Sequence, residues 1–327
     1  MPQTPVRPLA ADWLPYSLPL KQPWHTSRGV FQHRDGRLLR LKTADGRTGW
    51  GDCAPWPEFG ITAQAASDFA EECAQLDLAA QRANLALNAW LSGRPAIQHV
   101  AVNAVLGAIL HTPPAALKDA ADAGFQVIKI KVGNASLDDE IAALQQRCQD
   151  LPDGLKLRLD ANGAWSMAEA RHFIAACAEL PIEGLEEPLR MPTLAMLGEL
   201  QATSRFPIAI DESFHLIDRQ FMAAPAVQRL IIKPPRHGGL LACIETVLQA
   251  HAAGVECIFT SSLESACGLL AVAHLAAALT PDSIHGLATA DWFASDTGVG
   301  PAIHRGKLDL PMFDGLGFQP ATSWPGR

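Results

Sequence analysis

The 327-residue sequence predicts an α/β protein: a closed (β/α)8-type barrel preceded by a small α+β unit. Three observations predict it. From about residue 97 onward, short apolar runs alternate with stretches of helical period, the pattern of strands buried on both faces of a parallel sheet. Eight such units favour closure into a barrel over an open doubly wound sheet. No G-x-G-x-x-G follows the first of these strands, which argues against a dinucleotide-binding sheet.

The elements follow in order. Within residues 1–96, Arg37-Leu-Leu-Arg-Leu-Lys42 alternates as a strand, Ala44-Asp-Gly46 is a turn, and Thr48-Gly-Trp-Gly-Asp-Cys53 is the returning strand. Ala54-Pro-Trp-Pro-Glu-Phe-Gly60 breaks the regularity. Residues 62–92 are alanine-rich with helical spacing and end at Ser92-Gly-Arg-Pro95. The barrel unit is placed at 97–295, with strands at 99–105, 126–133, 155–161, 182–188, 207–212, 227–234, 255–262 and 283–288. Helices are expected at 138–149, 166–179, 192–203, 214–224, 240–253 and 265–279. A tail, 296–327, is expected to return and pack on the N-terminal unit.

Composition excludes several classes. The formal net charge is -8 with no long run of either sign, a surface that recruits neither nucleic acid nor an anionic membrane. The seven cysteines are scattered, with no C-x-x-C, which argues against a zinc site or a disulfide framework. The N-terminus lacks the layout of a secretory leader, and the apolar run Leu269–Leu279 is too short to span a bilayer. A cytoplasmic location is expected. The oligomeric state is left open by the sequence.

Barrel active sites lie at the C-terminal ends of the strands. Most of the strands here are apolar until their last residues. The exception is Val127-Ile-Lys-Ile-Lys-Val-Gly133, which puts Lys129 and Lys131 on one face. Two neighbouring ammonium groups on a buried face disfavour each other's charged form. The next strand carries Arg158, Asp160 and Asn162 on one face, the following ones end in Glu186 and Asp211, and the one after that in Lys233. Three carboxylates on consecutive strands can converge, and such hard oxygen donors suit Mg2+. Taken singly, each acid also reads as a helix cap or loop residue. Glu187 and Glu212 read as caps or supporting groups, Arg158 also as an ion-pair partner, and His237 as a loop histidine. The succession Lys, Asp, Glu, Asp, Lys at corresponding strand ends is what a set of caps does not explain.

These residues resemble the enolase superfamily, in its muconate-lactonizing-enzyme-like branch. The matching motifs are Lys129-Ile-Lys131, Asp160-Ala-Asn162, Glu186-Glu-Pro188, Asp211-Glu-Ser213 and Lys233, in order over nearly the whole chain. The N-terminal G-W-G-D-C-A-P-W-P-E-F-G stretch fits the capping unit of that family. Within the branch the chain is most similar to the o-succinylbenzoate synthases. Supporting stretches are Leu157–Asn162, Ile231-Ile-Lys-Pro234, Thr260–Ser265 and Gly286–Asp291. The D-x-D that dipeptide epimerases carry on the last strand is absent; Ala288, Thr289, Ala290 and Asp291 stand there, and some synthases have Asp where this chain has Ala288. The histidine that mandelate-racemase-like members carry on the seventh strand is replaced by Thr260, Ser261 and Ser262.

The resemblance implies an enolase-type barrel with an N-terminal capping domain, and an enzyme of menaquinone biosynthesis. Its reaction would dehydrate 2-succinyl-6-hydroxy-2,4-cyclohexadiene-1-carboxylate to 2-succinylbenzoate. It implies Mg2+, with Mn2+ as a substitute, on Asp160, Glu186 and Asp211. Lys131 would be the base, with Lys129 helping to keep it neutral, and Lys233 would face it as a cation. Lys129, Arg158, Asn162, Ser261 and Ser262 would contact the substrate, a small carboxylate. The segment between Pro19 and Gly29 and the Pro55–Gly60 segment would close over the site. Two alternatives stand beside this: an N-acylamino acid racemase or dipeptide epimerase on the same scaffold, and a non-catalytic metal-binding or ligand-binding barrel.

Overall fold

The structure, a computed structural model, describes residues 9–26 and 29–322. The described residues begin with a long antiparallel hairpin, β1 (Ala10–Thr26) and β2 (Gly29–Lys42). The first strand was not foreseen, because Pro15, Pro19 and Pro23 interrupt its sequence. Proline removes a ladder donor and is tolerated on an edge strand, which is the place β1 takes in the order β1-β2-β3. β3 (Thr48–Cys53) pairs with β2 from Arg37↔Cys53 to Lys42↔Thr48.

The helix α1 (Ala63–Arg82) lies directly on β3. Gly49 and Gly51 permit this, since a Cβ at either would run into the backbone of Ala74 or Ala70. The Thr62 hydroxyl caps the helix by accepting from Ala65 N at 3.1 Å. A turn at Asn84, in the left-handed region at φ 55, separates it from α2 (Leu87–Ser92). The expected single helical stretch is therefore two helices.

The expected strand 99–105 is split. β4 (His99–Ala101) leaves the barrel to pair with a C-terminal hairpin, whereas β5 (Ala104–Ala108) enters it. The break falls at Asn103, which is buried and spends its amide on Ala104 O and on Arg158. There follow α3 (Pro114–Asp122), β6 (Val127–Lys131), α4 (Leu137–Gln149), β7 (Lys156–Asp160), α5 (Met167–Ala176), β8 (Ile182–Glu186) and α6 (Leu194–Thr203). Then come β9 (Ile208–Ile210), α7 (Arg219–Ala223), β10 (Arg229–Ile232), α8 (Leu240–Ala252), β11 (Glu256–Phe259) and α9 (Ala266–Leu279). Ser136 caps α4, and Ser166 with Glu169 forms a reciprocal capping box on α5. The expected helix 214–224 is broken: a 3-10 turn spans Glu212–Leu216, and Asp218 restarts the chain as α7 by accepting from Phe221 N.

Strands β5 to β11 form one parallel sheet in sequence order, seven strands rather than eight. The expected eighth strand, 283–288, forms only isolated bridges. His285 exchanges backbone hydrogen bonds with Ala101 and Asn103, and Gly286 with Phe259 and Ser261. Each edge is thus touched by a single residue, too short a ladder for a strand. Those bonds still close the gap between β11 and the start of β5.

Helix α9 explains the most apolar run of the sequence. It is buried all round, against the barrel on one side and α1 and α2 on the other. His274 sits inside it, accepting from Asn88 N at Nδ1 and facing Leu316 O at Nε2. Burial holds its imidazole down at about 4, so it is neutral. No helix among the described residues is long and apolar enough to cross a membrane. The C-terminal segment forms β12 (Ile303–His304) and β13 (Lys307–Asp309), then runs against α1, where Leu316 N donates to Asp77 and Phe318 meets Trp50 edge-on at 5.5 Å.

Candidate active site

Parallel register sets the charged residues side by side. Lys131 pairs with Asp160 across β6–β7, and Asp160 with Glu186 across β7–β8. Glu186 is level with Ala209, two residues before Asp211 on the same face, and Lys233 follows directly on β10. The three carboxylates are each 1% exposed. The Lys129 ammonium bridges Asp160 Oδ2 at 2.9 Å and Glu186 Oε2 at 2.6 Å. Lys131 Nζ reaches Asp160 Oδ2 at 2.7 Å and also donates to Asn162 Oδ1. Lys233 donates to Asp211 Oδ2, and Arg236 to Asp211 Oδ1 and to its carbonyl.

The electrostatics follow from this crowding. Burial pulls the Lys129 ammonium down, but Asp160, Glu186 and Asp211 together outweigh it and hold its pKa well above the usual lysine value. The carboxylates therefore dominate whatever repulsion the two lysines of β6 exert. Burial pushes Asp160 and Asp211 up, and the lysines and Arg236 outweigh it and hold both well below the usual carboxylate range. Glu186 goes the other way: burial and the charge of Asp160 push it up to about 8. It is the acid with least compensation, and its Oε1 is buried without a hydrogen-bond partner among the described residues.

That oxygen is suited to a bound cation. The donor set is three acidic side chains on adjacent rigid strands, the chemistry of a hard divalent ion. As the side chains stand, ammonium groups hold the carboxylates, and no three His, Cys, Asp or Glu among the described residues are already arranged around one metal position. The residues fit Mg2+ by donor type and by their positions on adjacent strands.

The remaining expectations divide. Asn162 lies at the rim, at φ 44, between Lys131 and Glu212. Ser261 gives its hydroxyl to Glu264 at 2.6 Å and accepts from Thr289, whereas the Ser262 hydroxyl is buried without a partner among the described residues. Arg158 takes the ion-pair role that the sequence also allowed, rather than the expected substrate contact. Its guanidinium turns from the carboxylates to the strand beginnings, bonded to Glu183 at 2.8 and 3.0 Å and to Asn103 at 3.1 Å. The cause is a register shift in β8 opposite Arg158, which swings Glu183 beneath it. Arg158 is 2% exposed and serves the barrel floor, not a substrate.

Sequence reasoning missed Arg236. The one cue was its position three residues beyond Lys233, inside the turn that follows β10. His237 is the loop histidine expected, stacked on Phe214 at 3.7 Å, accepting from Lys233 N and held well below its usual pKa by burial and by Arg236. Glu187 is more than a cap. At φ 45 it accepts from Asp211 N at 2.9 Å, Ser213 N at 3.1 Å and the Ser213 hydroxyl, which sets the backbone of Asp211.

The N-terminal sheet reaches this end of the barrel. Arg34 on β2 donates to Leu263 O at 3.1 Å and stacks over Trp56 at 4.3 Å. Asp52 accepts from Tyr16 at 2.6 Å and from Ser265 N at 2.8 Å. Trp24 stacks on Phe59 at 5.3 Å and meets Trp292 edge-on at 5.8 Å. Residues 27–28 and the side chain of His25, part of the expected closing segment, lie outside the described residues.

The family model for enolase C-terminal domain-like proteins matches residues 114–324. The o-succinylbenzoate synthase of Pectobacterium atrosepticum is 35% identical over 295 residues, covering 84% of this chain and 88% of that protein. The one from Yersinia pseudotuberculosis is 33% identical over 304 residues, with the same coverage. Among solved structures, muconate lactonizing enzyme from Pseudomonas fluorescens superposes with a TM-score of 0.85 at 21% identity, covering 97% of this chain and 98% of the other. A dipeptide epimerase from Enterococcus faecalis complexed with Mg and a dipeptide superposes equally well, at 0.85 and 23% identity, covering 96% and 99%. At those identities the structural likeness is one of fold. The sequence relatives and the family model carry the conclusion that this chain belongs to the enolase superfamily, in an α/β enolase-type barrel.

Proposed function

We propose that the protein is a magnesium-dependent lyase that dehydrates 2-succinyl-6-hydroxy-2,4-cyclohexadiene-1-carboxylate to 2-succinylbenzoate, a step of menaquinone biosynthesis in the cytoplasm. The observation that carries the proposal is the pair Lys131 and Lys233, on the strands either side of those bearing Asp160, Glu186 and Asp211. A barrel that only bound metal would have no use for two flanking amines. The relatives in Pectobacterium and Yersinia, named o-succinylbenzoate synthases, support the choice of substrate.

In this reading Asp160, Glu186 and Asp211 would hold Mg2+, or Mn2+ in its place, and the bound ion would supply positive charge that stabilises the anion formed when the proton beside the substrate carboxylate is lost. Lys131 takes that proton and returns it to the departing hydroxyl on the same face, so that water leaves and the ring becomes aromatic. Lys233, ion-paired to Asp211, presents a cation from the opposite side. Lys129 stays charged between Asp160 and Glu186 and keeps those acids from repelling each other. Glu187 braces Asp211. Asn162, Ser261 and Ser262 border the substrate. Residues 1–96 form a capping domain over the barrel 97–295, and 296–327 packs back on the cap. The contacts of Arg34 with Leu263 and of Asp52 with Ser265 support that arrangement. The aromatic contacts of Trp24 with Phe59 and Trp292 would belong to that cover.

A side-by-side assay tests the reaction. The purified protein should form 2-succinylbenzoate faster than it racemises N-succinylamino acids or epimerises dipeptides. Racemisation or epimerisation well ahead of dehydration would replace the proposed reaction with the one observed.

A further inference from the structure

We propose that Asn162 and Glu212 form a two-residue arm that aims the Lys131 amine, making both of them positioning residues for the proton transfer. The inference rests on Lys131 being the base. It goes beyond that reading in giving Asn162 a role other than substrate contact and in giving Glu212 a role at all.

The three lysines of the cluster are held differently. Lys129 lies between two carboxylates with its side chain 11% exposed, and Lys233 lies against Asp211 at 19%. Lys131 is 36% exposed and has one carboxylate, Asp160, for an ion pair. A four-carbon stem with that much freedom loses its aim unless a second group confines it. The second group is the Asn162 side chain, whose Oδ1 accepts from Lys131 Nζ.

Asn162 is itself fixed from three directions. Its backbone N–H donates to Asp160 Oδ1 at 3.1 Å. Its backbone lies in the left-handed region at φ 44, which asparagine tolerates better than most residues. Its Nδ2 donates to Glu212 Oε1 at 2.9 Å. An ammonium only donates and a carboxylate only accepts, so one orientation of the amide satisfies both neighbours. Turning it over would face NH2 to ammonium and oxygen to carboxylate. Glu212 comes from the turn that follows Asp211, so the arm ties the ends of β6, β7 and β9 together. The second Glu212 oxygen is buried without a partner among the described residues, which leaves the Asn162 amide as the contact that orients this carboxylate.

The test is an exchange of roles. Asn162→Asp preserves the backbone preference but sets a carboxylate against Glu212. Adding Glu212→Gln lets the new glutamine amide donate to the new aspartate, and it restores the net charge of the pair. The single Asn162→Asp variant should lose about 10²-fold in kcat with KM little changed, the cost of a base roughly 1 Å out of line. The double variant should recover at least about tenfold of that loss, because residues in one hydrogen-bond network do not act additively. A double variant as slow as the single one would overturn the arm. A raised KM without rescue would make Asn162 a substrate contact instead.

A crystal structure of Asn162→Gly separates this inference from the proposed reaction. The arm predicts Lys131 Nζ displaced from Asp160, whatever substrate the enzyme takes. Lys131 found in its original place would refute the arm, whereas a wild-type protein that forms no 2-succinylbenzoate would refute the reaction and leave this structural result standing.

Discussion

Lys129 and Lys131 alternate with isoleucine on one strand, yet their ammonium groups have different surroundings. Lys129 is enclosed by acids that keep it charged, and Lys131 stands at the edge with Asp160 and an amide. This separation suits the proposed roles: one lysine to compensate the carboxylates and another at the rim, more exposed, to meet substrate. Lys131→Ala should cut turnover by at least about 10²-fold, the scale of a lost general base. Mg2+ affinity, measured by titration calorimetry, should stay close to wild type. Unchanged turnover would remove Lys131 from the mechanism. At this scale the sequence was informative about residue types and strand ends, because alternation fixes which side chains share a face. For Arg158 it allowed both a substrate contact and an ion pair, and the choice between them depends on a register shift in the neighbouring strand. It was silent about Arg236, which lies in a turn where no periodicity tells where a side chain points.

The strands of the barrel are layered by charge. Alternation places Arg229, Ile231 and Lys233 on one face, and Glu256 and Ile258 on another strand's corresponding face. Ile231 and Ile258 form a small apolar cluster with Ala209, apart from the main core. Below it lies a network in which Glu183 accepts from Arg158 at 2.8 Å and from Arg229 at 2.7 Å, and Arg229 also meets Glu256 at 2.8 Å. Burial pushes the Glu183 carboxyl up, but Arg158 and Arg229 outweigh it and hold it at about 2, below its ordinary 4.5. The folded state therefore binds this proton less tightly than the unfolded chain. The resulting stability is fully present above pH 4.5 and is lost as pH falls through about 2. Glu183→Gln should lower unfolding free energy at neutral pH by on the order of 3 kcal/mol, since it leaves two buried guanidinium groups short of a partner. It should also flatten the acid limb of the stability curve, as measured by urea denaturation between pH 2 and 7. An unaltered acid limb would mean that the network does not contribute as its geometry indicates.

At the scale of the whole molecule, the barrel was legible because buried parallel strands and covering helices differ in period and length. Its closure was not. Residues 283–288 read as a strand but touch each edge through one residue, and this depends on where β5 begins rather than on local sequence. The long hairpin of the N-terminal unit was hidden by the prolines of β1, which only an edge position accommodates. The same unit meets the barrel through buried polar links such as Asp52 to Ser265 and Arg34 to Leu263, contacts more than two hundred residues apart in sequence that no local pattern foretells. The most direct measurement follows ultraviolet absorbance as purified enzyme, stripped with a chelator and then given Mg2+, is mixed with 2-succinyl-6-hydroxy-2,4-cyclohexadiene-1-carboxylate. The account predicts rapid formation of 2-succinylbenzoate that depends on the added metal. No product with Mg2+ present, or an undiminished rate in the stripped protein, would contradict it.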